Sequence, residues 1–472
     1  MTNRSPFSLL THLAGDQEQL DIFSDEAAIE SWLAVERALA QAQGELGVIG
    51  SEDAAAIVGA AHRGNVSEQR LWESTRNVGY PILGIVREIS ATLPEGPNGR
   101  VHYGATTQDI MDSALALQLV RSLASLDRRL ARFGDALAER VTEHEGTVMP
   151  GRTHAQQAVP TTFGAILATL LGQVTRQRER LAQAAPRIGV ISMFGAGGTS
   201  AAYGPRSAQV RTRVAELLGL EDTGISWHVD RDGLAEFGWL CATIAATCAK
   251  LARNIVDLSR TEIGEVFEPY SSHRGASSTM PQKVNPISSE VIIGLSGTAG
   301  ALASALARIQ EAGHERAAGE WQIEWHIIPQ LAVLAGSALS EALVIAEGMR
   351  VDSDRMLANL QLDGGLVMAE AQMIQLADAM GREHAHDLVY EAATRARTEG
   401  TVLADALRAV AQEHGTAHLL PETLVGPANY LGEARTMCET SIRQWRQAPA
   451  LPAAWGERPV VDLVQPLIPA GS

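Results

Sequence analysis

Residues 271–286 read SSHRGASSTMPQKVNP, and what this stretch interrupts decides the fold. A run this rich in Gly and Ser is not a helix interior, and Pro281 and Pro286 fix its turns. On either side stand long segments whose apolar residues recur at helical spacing, Gly233–Glu262 before it and Ser288–Gln310 after it. Alone, a Ser/Gly run is a flexible surface linker. A helical bundle seldom breaks for sixteen structureless residues unless the loop has a function. This loop can move, and it presents hydroxyls, the Lys283 ammonium and the Asn285 amide to an anion.

Outward from the loop the same period continues. Ile110 to about Glu145 forms one long helix, with Ala114, Leu117, Leu123, Leu126, Leu130 and Phe133 on its stripe. Gly146–Gly151 breaks it, and Arg152–Gln157 is expected to open another helix reaching about Pro186. FGAGGTSAAY (194–203) is a Gly-rich loop, and a further long helix runs from about Trp325 to Arg350. Five helices of this length describe an elongated bundle. Before it, Ser24 caps a helix running to Gly44 or Gly47, another follows Ser51, and a third spans about Tyr80–Leu93. After Val351 the helices shorten, with 365–380 and 385–398 the clearest. The fold class is all-α, in three helical domains: 1–110, 111–350 and 351–472. The long helices carry apolar residues on more than one face, so copies of the bundle are expected to associate.

Of the 472 residues, 46% are hydrophobic, 20% charged and 4% aromatic, a composition of Ala/Leu-rich packed helices. The net charge of −17 excludes nucleic acid as a partner, because no basic face would offset the phosphates. An anionic small substrate stays possible, since Arg and Lys can gather in one pocket. Cys241, Cys248 and Cys438 lack metal-ligand spacing and are expected to be buried, inert thiols. The N-terminus is read as having no apolar leader, and no apolar run approaches a membrane span. A cytoplasmic protein with no membrane partner is expected.

Three loops between the long helices hold the candidate chemistry. VHYGATTQD (101–109) offers His102, Thr106 and Thr107, although either threonine could equally cap the following helix. The second gives Thr153 and His154. A lone His at a helix start is usually structural; a carboxylate partner such as Glu290 would make it a general acid or base, unless Glu290 only favours its own helix N-terminus. The third offers Ser277 or Ser278 with Lys283 and Asn285. A serine hydroxyl acts as a base only in a cationic, desolvated setting that stabilises the alkoxide.

SSTMPQKVNP resembles the signature of the fumarase/aspartase superfamily, with Ala276 where a glycine is usual. VHYGATTQD and GRTHAQQAVPTTFG resemble its first and second conserved regions, and the likeness covers nearly the whole chain. The resemblance implies a helical homotetramer built on a twenty-helix core, each active site assembled from three subunits, working without metal or organic cofactor. It implies a small anionic dicarboxylate or tricarboxylate as substrate. Carried over, Ser277 would be the base that takes the Cβ proton. Lys283 and Asn285 would bind the carboxylate that becomes the aci-carboxylate. His154, oriented by Glu290, would protonate the leaving group. His102, Thr106, Thr107, Thr153 and Arg316 would contact substrate. HERAAGEWQIEWHIIPQ (314–330) replaces the Ser-Ser-x-Glu-Arg run of adenylosuccinate lyases and is most similar to 3-carboxy-cis,cis-muconate cycloisomerases. Those cycloisomerases commonly lack the second-region histidine, whereas His154 and Glu290 are both present here. The resemblance thus implies first a lyase releasing fumarate from a substituted succinate by C–N cleavage, of the kind of nitrosuccinate lyase. Second comes the cycloisomerase, third adenylosuccinate lyase, and last a structural, crystallin-like member.

Overall fold

The computed structural model describes residue 10 and residues 14–452, which are 68% helical in sixteen α-helices with two small sheets. The N-terminal helices are α1 (Gln17–Ile22), α2 (Asp25–Glu45), α3 (Ser51–Ala60), α4 (Glu68–Val78) and α5 (Ile82–Ala91). The longest, α6 (Thr107–Glu143), follows, and then a hairpin of β1 (Val148–Thr153) and β2 (Gln156–Thr162). Next come α7 (Phe163–Ile188), α8 (Ser207–Leu218), α9 (Asp232–Leu258), β3 (Val266–Phe267), α10 (Ile287–Leu306) and α11 (Glu320–Gly348). The chain continues through β4 (Arg350–Val351), α12 (Ser353–Asn359), α13 (Ala369–Met380), α14 (Arg382–Glu399), α15 (Leu403–Glu413) and α16 (Ala434–Arg446).

The expected helices are present, with ends set by their caps. Ser24 Oγ accepts from Ala27 N at 3.2 Å, starting α2. The helix expected from residue 152 begins only at Phe163. Residues 148–162 pair as an antiparallel hairpin, with Thr153 opposite Gln156. Its two-residue turn is His154-Ala155, with φ of 51° and 62°, the mirror-image turn that matches strand twist. A bulge falls between Pro150 and Arg152. A side chain on Gly151 there would meet the Val159 carbonyl at 2.8 Å, so the bulge requires glycine. The turn carries no Gly or Asn, the usual signal at such positions, and so reads as a helix start. Three helices, α1, α4 and α8, are additional to those expected before residue 351, and α11 begins at Glu320, five residues ahead of Trp325.

One apolar cluster fills the bundle of α6, α7, α9, α10 and α11, with Phe133, Phe163 and Phe237 fully buried in it. A second lies under α2, α3 and α8 and takes in the first turns of α6; a third lies between α13, α14 and α15. Helix α16 returns to the bundle. Trp445 Nε1 donates to Asp135 Oδ1 at 2.8 Å, against Gly134, where a side chain would meet the indole at 2.2 Å.

Apolar runs of membrane-spanning length, not expected from the sequence, are present in the fold. Three helical stretches, Asp232–Leu258, Ile287–Glu311 and Glu320–Gly348, are long and apolar enough by length and composition to cross a membrane. Interspersed Gly, Ala, Ser and Thr disguise them in the sequence, but each has an 18-residue window with no more than two charged residues. Two of these windows are 61% buried inside the fold; that of Ile287–Glu311 is only 17% buried. Helix α10 thus carries a long apolar surface that one chain leaves uncovered.

Candidate active site

Asp109 organises the first loop. It is fully buried, and its carboxylate accepts from Thr106 N at 3.1 Å, Phe194 N and Gly195 N at 2.9 Å each, and the Tyr203 hydroxyl at 3.1 Å. The His228 ring stands 3.0 Å away through Nε2. A buried carboxylate with this many donors is stable only if all of them hold their places. It therefore pins Thr106, the N-cap of α6, and Thr107, its first residue, to the Gly-rich loop at 194–203. Burial, with the Asp109 charge added, pushes the Tyr203 hydroxyl well above its usual range, so it stays a donor. His102, at φ 61°, places Nδ1 2.6 Å from Glu36 Oε1 on α2.

Arg316 joins this end of the molecule. Its guanidinium donates to Gln108 Oε1 at 2.7 Å and to the Ala196 carbonyl at 2.9 Å. Gln108 Nε2 in turn reaches Asp112 Oδ2 at 3.1 Å. Asp112 and Glu324 share the guanidinium of Arg231, with all three side chains 1–2% exposed. This clamp ties α6 to the residue before α9 and to the first turns of α11. Two carboxylates with one buried cation leave an excess negative charge. Burial, with the Asp112 charge beside it, pushes Glu324 up to about 7, although Arg231 opposes the shift.

The second and third loops are held by carboxylates near the far end of α9. Arg152 makes a two-pronged contact with Glu265, which is fully buried and also accepts from Asn359 Nδ2 at 2.6 Å. With its base clamped, the hairpin carries Thr153 and His154 exposed at its tip. Three residues after Glu265, Glu268 accepts from Ser289 N at 2.7 Å, Ser289 Oγ at 2.7 Å and Ser288 N at 3.3 Å. A carboxylate on these amides stabilises the start of α10. Arg274 lies 3.5 Å from Glu268 and also bonds Ser288 Oγ. These contacts fasten both ends of the 271–286 loop.

The loop itself is shaped around Gly275. Its carbonyl accepts from Asn285 N at 2.8 Å, and Ala276 bridges Val284. A side chain on Gly275 would meet the Asn285 carbonyl at 2.3 Å, and its φ is 68°; only glycine meets both demands. At the turn, Ser277 Oγ accepts from Met280 N at 3.1 Å and Thr279 N at 3.3 Å. Both contacts favour the oxyanion form of this hydroxyl over the neutral one. Ser278, Lys283 and Glu290 are exposed and Asn285 is half-buried.

The structure divides the sequence-derived residues into two groups. His102, Thr106, Thr107 and Arg316 lie at the end where α6 and α9 begin. Thr153, His154, Ser277, Lys283, Asn285 and Glu290 lie beyond the ends of α6 and α9. The 37 residues of α6 and 27 of α9 span about 55 and 40 Å at 1.5 Å per residue. No hydrogen bond or ion pair among the described residues joins His154 to Glu290, so one chain does not form the expected acid pair. Asp109, Glu36, Arg231, Glu265, Glu268 and Glu324 were missed by the sequence reading. The only available signal was a charged residue recurring on an otherwise apolar stripe, as at Glu36 and Asp112.

Residues 15–300 match the lyase family and 365–440 the adenylosuccinate lyase C-terminus. This chain belongs to the fumarase/aspartase superfamily. It is 39% identical to 3-carboxy-cis,cis-muconate cycloisomerase of Pseudomonas aeruginosa, over 90% of this chain and 93% of that one. It is 32% identical to N-acetyl-S-(2-succino)cysteine lyase of Dickeya dadantii, over 93% and 96%. The solved fumarate lyase from Mesorhizobium sp. BNC1 superposes with a TM-score of 0.84 at 36% identity, covering 94% of this chain and 99% of that one. The superfamily member described here is accordingly an enzyme, a lyase or cycloisomerase.

The shape of the 271–286 loop is open to test. Gly275→Ala should lower kcat/KM by about 100-fold or more, because the loop must open where Asn285 closes on it. The melting temperature should move little, since the bundle core is untouched. Wild-type kcat/KM in this variant would show that the loop shape is not needed.

Proposed function

We propose that this enzyme catalyses β-elimination from a substituted succinate, releasing fumarate and a group linked through nitrogen, in the cytoplasm. The observation that carries this reading is the presence of His154 and Glu290 together with a Ser277 whose Oγ already accepts two backbone N–H groups. Ser277, as alkoxide, takes the Cβ proton. The C–H electron pair moves into the adjacent carboxylate, giving an aci-carboxylate held by Lys283 and Asn285. Collapse of that intermediate forms the C=C bond and expels the substituent with its bonding pair. His154, oriented by Glu290, supplies the proton that the leaving nitrogen needs. His102, Thr106, Thr107, Thr153 and Arg316 bind the remaining charge of the substrate. A relative whose name describes a lyase of an S-succinylated cysteine supports a substituted succinate as substrate, though its leaving group is linked through sulfur.

A second reading, 3-carboxy-cis,cis-muconate cycloisomerase, is favoured by the 39% identity to the Pseudomonas aeruginosa enzyme. The two differ in their need for an acid. An internal carboxylate is a good leaving group, whereas an amine is not.

The site requires more than one copy. Its two groups of residues stand at opposite ends of α6 and α9, and the apolar surface of α10 is left open. We infer a homotetramer in which other copies cover α10 and bring the two ends together, with each site drawn from three subunits.

Ser277→Ala should keep the fold and lower kcat by about 10³-fold, as removal of a general base does; near-normal turnover would remove Ser277 from the mechanism. The assay is a panel of N-substituted aspartates, nitrosuccinate and carboxymuconate, followed by fumarate absorbance or loss of the diene. Turnover of carboxymuconate alone would establish the second reading instead. In sedimentation, four chains of 50.3 kDa should travel as a particle of about 200 kDa. A stable monomer that is active would refute the shared site.

A further inference from the structure

One carboxylate–histidine pair that a single chain does form is Glu36 with His102. Glu36 lies on α2 between Leu33, Val35, Ala38 and Leu39, all buried, and is itself 1% exposed. One of its oxygens stands 2.6 Å from His102 Nδ1, and the other is buried with no hydrogen-bond partner. A carboxylate in such a place costs several kcal/mol unless a cation neutralises it. Helix α2 grips the same loop a second time, where Gln43 Nε2 donates to the Tyr103 carbonyl at 2.7 Å. His102 holds a left-handed backbone, φ 61°, which a non-glycine residue keeps only where its surroundings enforce it. Its ring is 18% exposed. Among the described residues Nε2 makes no hydrogen bond, so one face of the ring is committed and the other is free.

We propose that Glu36 is a positioning residue that keeps His102 an imidazolium, with Nε2–H presented to a carboxylate of the substrate. The proposal rests on the reading of His102 as a substrate contact. The charges facing the ring are Glu36 from α2 and Asp109 from α6. Asp109 is already occupied by three backbone N–H groups, Tyr203 and His228, so Glu36 is the specific partner. Burial works against the charged ring, but the Glu36 carboxylate outweighs it and His102 is raised above its ordinary value. The sign follows: the imidazolium persists to higher pH than in an ordinary histidine and is lost as pH rises past that raised value. A histidine without Glu36 would be mostly neutral there, and a neutral ring is a weaker donor to a carboxylate. Glu36 thus acts through His102 and touches no substrate.

Calorimetric titration of fumarate into the intact enzyme between about pH 6 and 9 tests this, since one pKa unit is a tenfold change in the charged fraction. Wild-type affinity should fall as pH rises past the raised value of His102. In Glu36→Gln the fall should begin at lower pH, with binding at about pH 7.5 weakened by up to about tenfold. In Glu36→Asp, which keeps the charge, the shift should be smaller. A wild-type pH profile in the folded Gln variant would overturn the role of Glu36; if that variant does not fold, wild-type His102 ring protons titrating by NMR no higher than an ordinary histidine would do so. His102→Gln binding fumarate as tightly as wild type at every pH would overturn the reading of His102 itself.

Discussion

Helix α6 is 37 residues without a break, and its stiffness sets the central constraint on this enzyme. It begins at Thr107, in the first loop, and ends just before the hairpin that carries His154. Helix α9 repeats the separation, from Arg231 at one end to Glu265 and Glu268 beyond the other. A rod cannot fold back to bring its ends together, so on the proposed reading the residues at its two ends meet between chains. The open apolar surface of α10 belongs to the same design. It begins directly after the Ser277 loop, so the helix that would be covered by another copy also carries that loop towards it.

Each loop is placed by a buried carboxylate of its own. Asp109 gathers three amides, a tyrosine and a histidine; Glu265 takes Arg152 and Asn359; Glu268 takes the first amides of α10. These groups are expensive to bury and strongly destabilising to leave unpaired, so each fixes a loop more firmly than apolar packing could. The loops can therefore be short, exposed and rich in small residues while keeping one shape. Gly275 shows how far this goes: the loop closes so tightly on Asn285 that no side chain fits.

Much of this was legible in the sequence. Apolar periodicity revealed the five long helices, since burial on a helix leaves a repeating stripe. The three polar loops stood out as breaks in that stripe, and a family signature gave their residues roles. The hairpin was not legible. Its turn uses His154 and Ala155 at positive φ, where Gly or Asn would have announced it. The clamps were hidden for a different reason: His228 lies 119 residues from Asp109 and Glu265 lies 113 from Arg152. No local pattern links partners so far apart. The apolar character of α10 was overlooked because its small residues dilute it, and only the fold shows that surface to be uncovered.

Subunit complementation tests the shared site most directly. Purified Ser277→Ala and Arg316→Ala proteins, inactive through lesions at opposite ends of α6, are dissociated, mixed in equal amounts and allowed to reassociate. If these residues reach one site from different chains, random mixing restores about a quarter of the sites to wild-type composition, and activity returns in proportion. No return of activity in mixed tetramers would contradict the account, because it would mean that each chain builds its site alone.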